Sequence, residues 1–469
     1  MHNSELKELP YVEQLKNECK FIEALKILNE LEDKKELTLQ GQFEIHYFKS
    51  VLLNELGRMN EALKYVELAY KESQQLKINP QIFDVLLSKS TILSHTNKNK
   101  EALKTIIKAE ELLQTIDQIS LKEFKEKKTS LLLSKGGIYF NIGDLNQALK
   151  CIDEAFMIAK EIENDKLILR ASKLLDFVYY CKGDFNLSFE YLKIFLTLAK
   201  KLNDKQEIIG ALNGIGMVYT EKGDFNQALE CLKQSLSICE EINSFKTGVV
   251  LTSLVDLYLK MNSLEKAKLY LDRIKKIINQ EYNKWLDDGY RVLKAIFFQK
   301  QSQKVYHLKA IDLLKRIVNE EGTFIETQYE ALIYLCDLYL KELSETNDLK
   351  IIDGIQPYLI QLKEIAKTQQ SSWLLAEAYS FHAKLKLITS EFEEAKDLLS
   401  RARDITKMYG LTQLAERISK ELIELANQES KWEMIKGSKA SMAELLNLTH
   451  IEDQLTNMLK KRFLLKKAL

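Results

Sequence analysis

Apolar residues recur at three- and four-residue intervals through most of this chain, the spacing of a helix buried along one face. From Gly210 to Glu230, Leu212, Ile215 and Tyr219 mark one such face, and Phe225, Ala228, Leu232 and Leu236 continue on a second. Between them, Gly223 supplies the left-handed residue that ends a helix. Asp224, with Gln227 three places on, reads as a capping box that starts the next. The predicted unit is two antiparallel helices joined at Gly223-Asp224. The same junction stands at Gly143-Asp144 and Gly183-Asp184, at forty-residue intervals, with Tyr139, Tyr179 and Tyr219 four places before each glycine. Asp144 and Gln147 repeat the capping box. A fixed period of roughly 20–50 residues marks a solenoid, in which each unit covers the apolar face of its neighbour.

Weaker copies extend both ways. The small residue of the second helix runs through Ala24, Ala62, Ala102, Ala148, Ser188, Ala228, Ala267 and Ala310, and returns at Ala395. Between the last two, residues 331–366 read as a pair with longer helices, Cys336 and Tyr339 taking the small and aromatic places. About ten pairs result. Past Tyr409-Gly410, the stripe Leu414, Ile418, Leu422 and Leu425 predicts a capping helix, which a solenoid needs to cover its last apolar face. Gly437-Ser438 breaks the pattern, and two short helical stretches begin at Ser441. The expected organisation is a repeat array over residues 1–430, with its most regular copies at 129–281, followed by a helical tail over 431–469.

The pattern Ile215-Gly216, Tyr219, Ala228 and Leu232, repeated as Gly136, Tyr139, Ala148 and Ile152, resembles the tetratricopeptide repeat. Its period resembles the forty-residue variety of that family. The resemblance implies an all-α, right-handed superhelical solenoid. Asp176 and Val255 depart from the family's small first-helix glycine, Ser188 departs from its alanine, and Glu240 stands where the family closes on proline.

Composition agrees with an all-helical chain: 3 prolines and 16 glycines in 469 residues are too few for many strands and tight turns. Lys+Arg and Asp+Glu balance at 68 each. No global field therefore draws nucleic acid or an anionic membrane, and no nucleic-acid partner is expected. The start lacks the basic and apolar regions of a signal peptide. No apolar run is long enough to span a membrane. The six cysteines, Cys19, Cys151, Cys181, Cys231, Cys239 and Cys336, are scattered singly. They read as reduced, buried thiols in a cytoplasmic protein.

Candidate chemistry is sparse. Gly210, Gly214 and Gly216 form a poor dinucleotide fingerprint, because no strand precedes them and the helical pattern runs on through Tyr219. Close helix packing at Gly216 against Ala228 explains that glycine, while Gly214 lacks such a reason. The histidines (His2, His46, His95, His307, His382, His450) form no metal-binding spacing. No catalytic site, metal or cofactor is expected. The basic end from Lys460 to Lys467 alternates with Phe463, Leu464 and Leu465 and reads as a terminal helix docked by its leucines, the alternative being contact with an anionic surface or a partner helix.

If the array coils as its relatives do, the first helix of each pair lines a groove. The face opposite its packing residues carries Arg170, Lys173, Phe177 and Tyr180, then Asn213, Met217 and Thr220, then Thr252 and Asp256. Asparagine can hold a peptide backbone, aromatics and methionine give adaptable apolar contact, and the two cations suit a carboxylate. The expected function is a non-catalytic scaffold or adaptor binding a protein or extended peptide, with self-association left open. The alternative is a peptide-responsive sensor whose superhelix changes pitch on binding. Regulators of that kind carry a helix-turn-helix module before the repeats, and here the first repeat starts by about Ser4, leaving no room for one.

Overall fold

In the computed structural model the described residues are 6–427, apart from 19, 34–36, 97, 117–118, 183, 281, 302, 324, 369–370 and 409–410, together with 442–460. Cys19, His2, Ser4, Gly183, Tyr409, Gly410, Gly437, Ser438, Ser441 and the basic end beyond Lys460 lie outside them. Among the described residues there are twenty-three helices and no strand. They fall into two compact units. The first holds the described residues up to Ile142 together with Gln147–Ala171, and the second holds Gly143–Asn146 and the described residues from Ser172 onward.

The first unit pairs α1 (Leu9–Asn17) with α2 (Phe21–Glu32), α3 (Leu39–Glu55) with α4 (Met59–Leu76), and α5 (Asn79–His95) with α6 (Asn99–Leu113). It adds α7 (Leu121–Ile142), most of α8 (Leu145–Glu161) and the start of α9 (Asp165–Lys182). The second unit continues from α9 with α10 (Phe185–Lys201), then pairs α11 (Lys205–Lys222) with α12 (Phe225–Glu241) and α13 (Thr247–Lys260) with α14 (Leu264–Gln280). Then follow α15 (Lys284–Gln299) with α16 (Lys304–Asn319), α17 (Ile325–Thr346) with α18 (Lys350–Thr368), and α19 (Ser372–Ile388) with α20 (Phe392–Met408). A single helix, α21 (Thr412–Asn427), lies on α20, and the chain continues to α22 (Met442–Thr449) and α23 (Ile451–Lys460).

A small residue in every second helix but α18 explains the close pairing. Ala24, Ala62, Ala102, Ala148, Ser188, Ala228, Ala267, Ala310 and Ala395 are all completely buried. Odd-numbered helices also touch the next odd-numbered one in two runs, α3 to α5 to α7 in the first unit and α11 to α13 to α15 to α17 in the second. Each run forms one layer and presents one shared face. The repeat tyrosines tie pairs together: Tyr179 stacks on Tyr191 at 5.5 Å, and Tyr219 meets Phe189 of the preceding pair edge-on at 5.2 Å.

Close approach sets the glycines of the opening stretch. A Cβ at Gly216 would stand 2.6 Å from Leu232 Cγ and 3.3 Å from the Ala228 carbonyl oxygen, so the glycine admits both the neighbouring backbone and a leucine. Gly214 has a reason after all: a Cβ there would meet Leu192 of α10 at 2.6 Å. The two departures from the repeat pattern, Asp176 and Ser188, turn out to be one feature. Ser188 Oγ donates to Asp176 Oδ1 at 2.5 Å, and both side chains are buried.

The junction between α11 and α12 forms as expected, with one change. Gly223 is left-handed (φ 80°), and the Asp224 carboxylate accepts from the Gln227 amide at 3.4 Å. The other arm of the capping box is replaced, because the Asp224 N–H donates to the Tyr219 carbonyl at 2.9 Å. This bond closes the preceding helix in the manner of a Schellman turn. Since nothing crowds Gly223, Gly223→Ala tests conformational strain alone. It should cost about 1 kcal/mol in urea unfolding. Turns leading into the next first helix use left-handed asparagine instead, at Asn203 and Asn243.

Candidate site on the first-helix layer

Within the second unit, α9, α11 and α13 carry eight of the nine sequence-expected groove residues, and two polar rungs cross them. At the middle of α9 and the start of α11, Lys173 Nζ lies 3.4 Å from Glu207. At the far end, Tyr180 Oη donates to Glu221 Oε1 (3.2 Å), which also accepts from Lys260 Nζ (2.7 Å), and Lys260 pairs with Asp256 at 3.3 Å. This second rung joins all three helices. Each cation on the rungs faces a carboxylate, so neither rung offers a free cation; the second, with Glu221 and Asp256 around one lysine, keeps a surplus negative charge.

Between the rungs lies a less polar zone. Phe177 on α9 is 39% exposed, while Asn213 on α11 is 8% exposed. Asn213 Nδ2 lies 3.6 Å from Met217 Sδ, and its Oδ1 is buried without a hydrogen-bond partner. An unpaired buried acceptor costs about 1–3 kcal/mol. Thr220 and Thr252 donate their hydroxyls to Gly216 and Val249 carbonyls of their own helices. Their oxygens retain acceptor capacity.

Arg170 belongs to the first unit. It keeps solvent contact, yet the protein crowding it pushes its guanidinium below the ordinary range, a shift that the Glu55 carboxylate and Tyr47 partly oppose.

Glu207, Glu221 and Lys260 were missed from sequence. The signal for them was present: Tyr180, Glu221 and Lys260 follow one another at 41 and 39 residues, near the repeat period. The first unit also has a cleft of about 370 Å³ between α6, α7 and α8. Two of its lysines are neutralised, Lys128 by Glu154 and Lys135 by Glu110, both at 2.8 Å. Burial pushes the Cys151 thiol there up, away from reactive thiolate. Among the described residues no cluster of three or more metal-ligating side chains occurs, and no helix is long and apolar enough to cross a membrane.

Antiparallel helix pairs with a completely buried small residue in nine of the ten second helices, α18 being the exception, define a helical-repeat protein. Models of the tetratricopeptide repeat match residues 207–279 and 129–162, so the chain carries tetratricopeptide repeats in those two stretches. Among solved structures, the apo form of RapI shares the fold with a TM-score of 0.52 and 16% identity, over 78% of this chain and 99% of that one. A Rap protein complexed with competence and sporulation factor aligns over 91% of this chain and 98% of that chain, with a TM-score of 0.49 and 13% identity. The apo quorum sensor NprR from B. thuringiensis aligns over 75% and 99%, with a TM-score of 0.48 and 15% identity. No curated protein sequence matches the chain.

Proposed function

We propose that this chain is a non-catalytic scaffold that binds a protein or extended peptide on the first-helix face of α9, α11 and α13. The functional division runs between an array over residues 1–430 and a tail over 431–469. The observation that carries the reading is Asn213. Its amide lies just beneath the shared face with a buried, unpartnered oxygen, between the two rungs. A turn of the Asn213 side chain toward the face brings that oxygen to a peptide backbone N–H and the amide hydrogens to a peptide carbonyl, so binding recovers the cost of the unpaired acceptor. Phe177, Met217 and Thr252 supply the apolar and adaptable contacts around it. Lys173, Tyr180, Thr220 and Asp256 set the borders. On the first unit's own face, Arg170 is the group that suits a carboxylate.

The test is a phage-displayed peptide library panned on the full chain. Enriched peptides should bind wild type and lose at least about tenfold in affinity to Asn213→Ala, roughly one lost hydrogen bond. The helical signal of the variant should stay unchanged. No enrichment, or equal affinity for both chains, would sink the reading. A bound peptide that also alters the small-angle scattering profile would favour the sensor over the static adaptor.

A further inference from the structure

The C-terminal helices α22 and α23 pack on α17 and α19, the first-helix layer of the last two pairs. Neighbouring first helices elsewhere in this unit approach each other directly, as α13 does α15 and α15 does α17. The backbones of α17 and α19 instead diverge, linked by Tyr329 and Trp373, whose rings meet edge to face at 6.0 Å. The tail fills the opening.

Hydrogen bonds fix its direction. The Met442 N–H donates to Asn347 Oδ1 (3.0 Å) just past the end of α17, and Tyr329 Oη near the start of α17 donates to the Met458 carbonyl (2.7 Å). On α19, Lys384 Nζ donates to the His450 carbonyl (3.4 Å), and Gln454 Nε2 donates to the Glu377 carbonyl and carboxylate (both 3.0 Å). The tail thus runs antiparallel to both helices. From Tyr329 to Asn347 is roughly 27 Å at 1.5 Å per residue, a length that two short helices end to end span.

One face of α23 enters the slot: Ile451, Gln454, Leu455 and Met458 are buried, while Glu452, Asp453, Thr456 and Asn457 face solvent. The array makes few demands on sequence. Tyr329 and Lys384 address main-chain carbonyls, which any helix carries, while Gln454 is held by its side-chain amide. Such a surface recognises a helix with apolar residues at its first, fifth and eighth positions and an amide at the fourth.

We infer that the slot between α17 and α19 is a helix-binding site, filled in cis by the chain's own C-terminal segment and in trans by a partner's amphipathic helix of that pattern. This site is separate from the α9–α13 face, and its probe differs, so the two readings fail independently. Tethering holds the segment at an effective concentration on the order of millimolar. A free helix therefore binds well only when the cis segment is weakened.

The experiment uses the full chain and, as probe, a fluorescently labelled synthetic peptide of residues 442–460, followed by anisotropy. Leu455→Asp in the chain should free the slot and tighten probe binding by at least about a hundredfold over wild type, the low end of what losing a tethered competitor produces (roughly 10²–10⁴). Gln454→Ala, a gentler change, should give an intermediate gain. A probe that itself carries Leu455→Asp should not bind. Three results would overturn the inference. Folded variants could bind the probe no better than wild type. Both variants could lose helicity in step with the array, making the segment core. Light scattering could show the slot filled by the tail of a second copy.

Discussion

Between pH 5 and pH 8, wild type should lose roughly 3 kcal/mol of folding stability relative to Asp176→Asn. Burial pushes the Asp176 carboxyl up to about 7, and the Ser188 hydroxyl offsets only part of that push. The unfolded chain releases the same proton near pH 4. Between those values the folded state holds a proton that the unfolded state has lost, so the stability from this group is full below about pH 4. It falls as pH rises and is gone once pH passes the folded value near 7. Asparagine accepts the Ser188 hydrogen bond and carries no proton to lose. Urea midpoints of the two chains at both pH values isolate the effect, because every other titrating group is common to them. Parallel pH profiles would show that Asp176 ionises in the fold as it does in water.

Gly216→Val should cost about 3 kcal/mol, the upper end for an overpacked interior. The new Cβ would press on Leu232 Cγ, a branch point rather than a free end, and on the Ala228 carbonyl oxygen, which moves only with its helix. Gly214→Ala is the control. Its Cβ would also come within 2.6 Å of a leucine, but of Leu192 Cδ2, a terminal methyl that can rotate away. The gain in helix propensity, about 1 kcal/mol, opposes the remaining crowding. Thermal melting should therefore separate two glycines two residues apart. Similar losses at both sites would mean that α11 and α12 adjust as a body and that the close approach at Gly216 has no special weight.

What was legible in the sequence followed the repeat period. Small residues from Ala24 to Ala395 could be tracked because each must fit against a first helix, and each is completely buried. The pairing of helices and the stop at Gly223 followed from the same local logic. Less visible were contacts that join residues with no fixed spacing. The tail reaches Glu377 and Tyr329 over 77 and 129 residues, and neither distance is a multiple of the period. Asp176 and Ser188 were visible only as two separate departures, since their compensation requires knowing that α9 and α10 face each other there. The rung through Tyr180, Glu221 and Lys260 lies between these cases. It keeps the period, but charged residues on helix surfaces are too common for spacing alone to single out three of them.

The pairing of Asp176 with Ser188 also bears on how a chain of near-identical modules finds its correct neighbours. Ala148 and Ala228 hold the corresponding place in the pairs before and after, and neither offers a hydroxyl. Were α9 to fold against one of those second helices, the carboxyl would be buried with no donor, at a cost of about 1–3 kcal/mol. One polar pair at one interface thus marks register in an array whose apolar seams look alike.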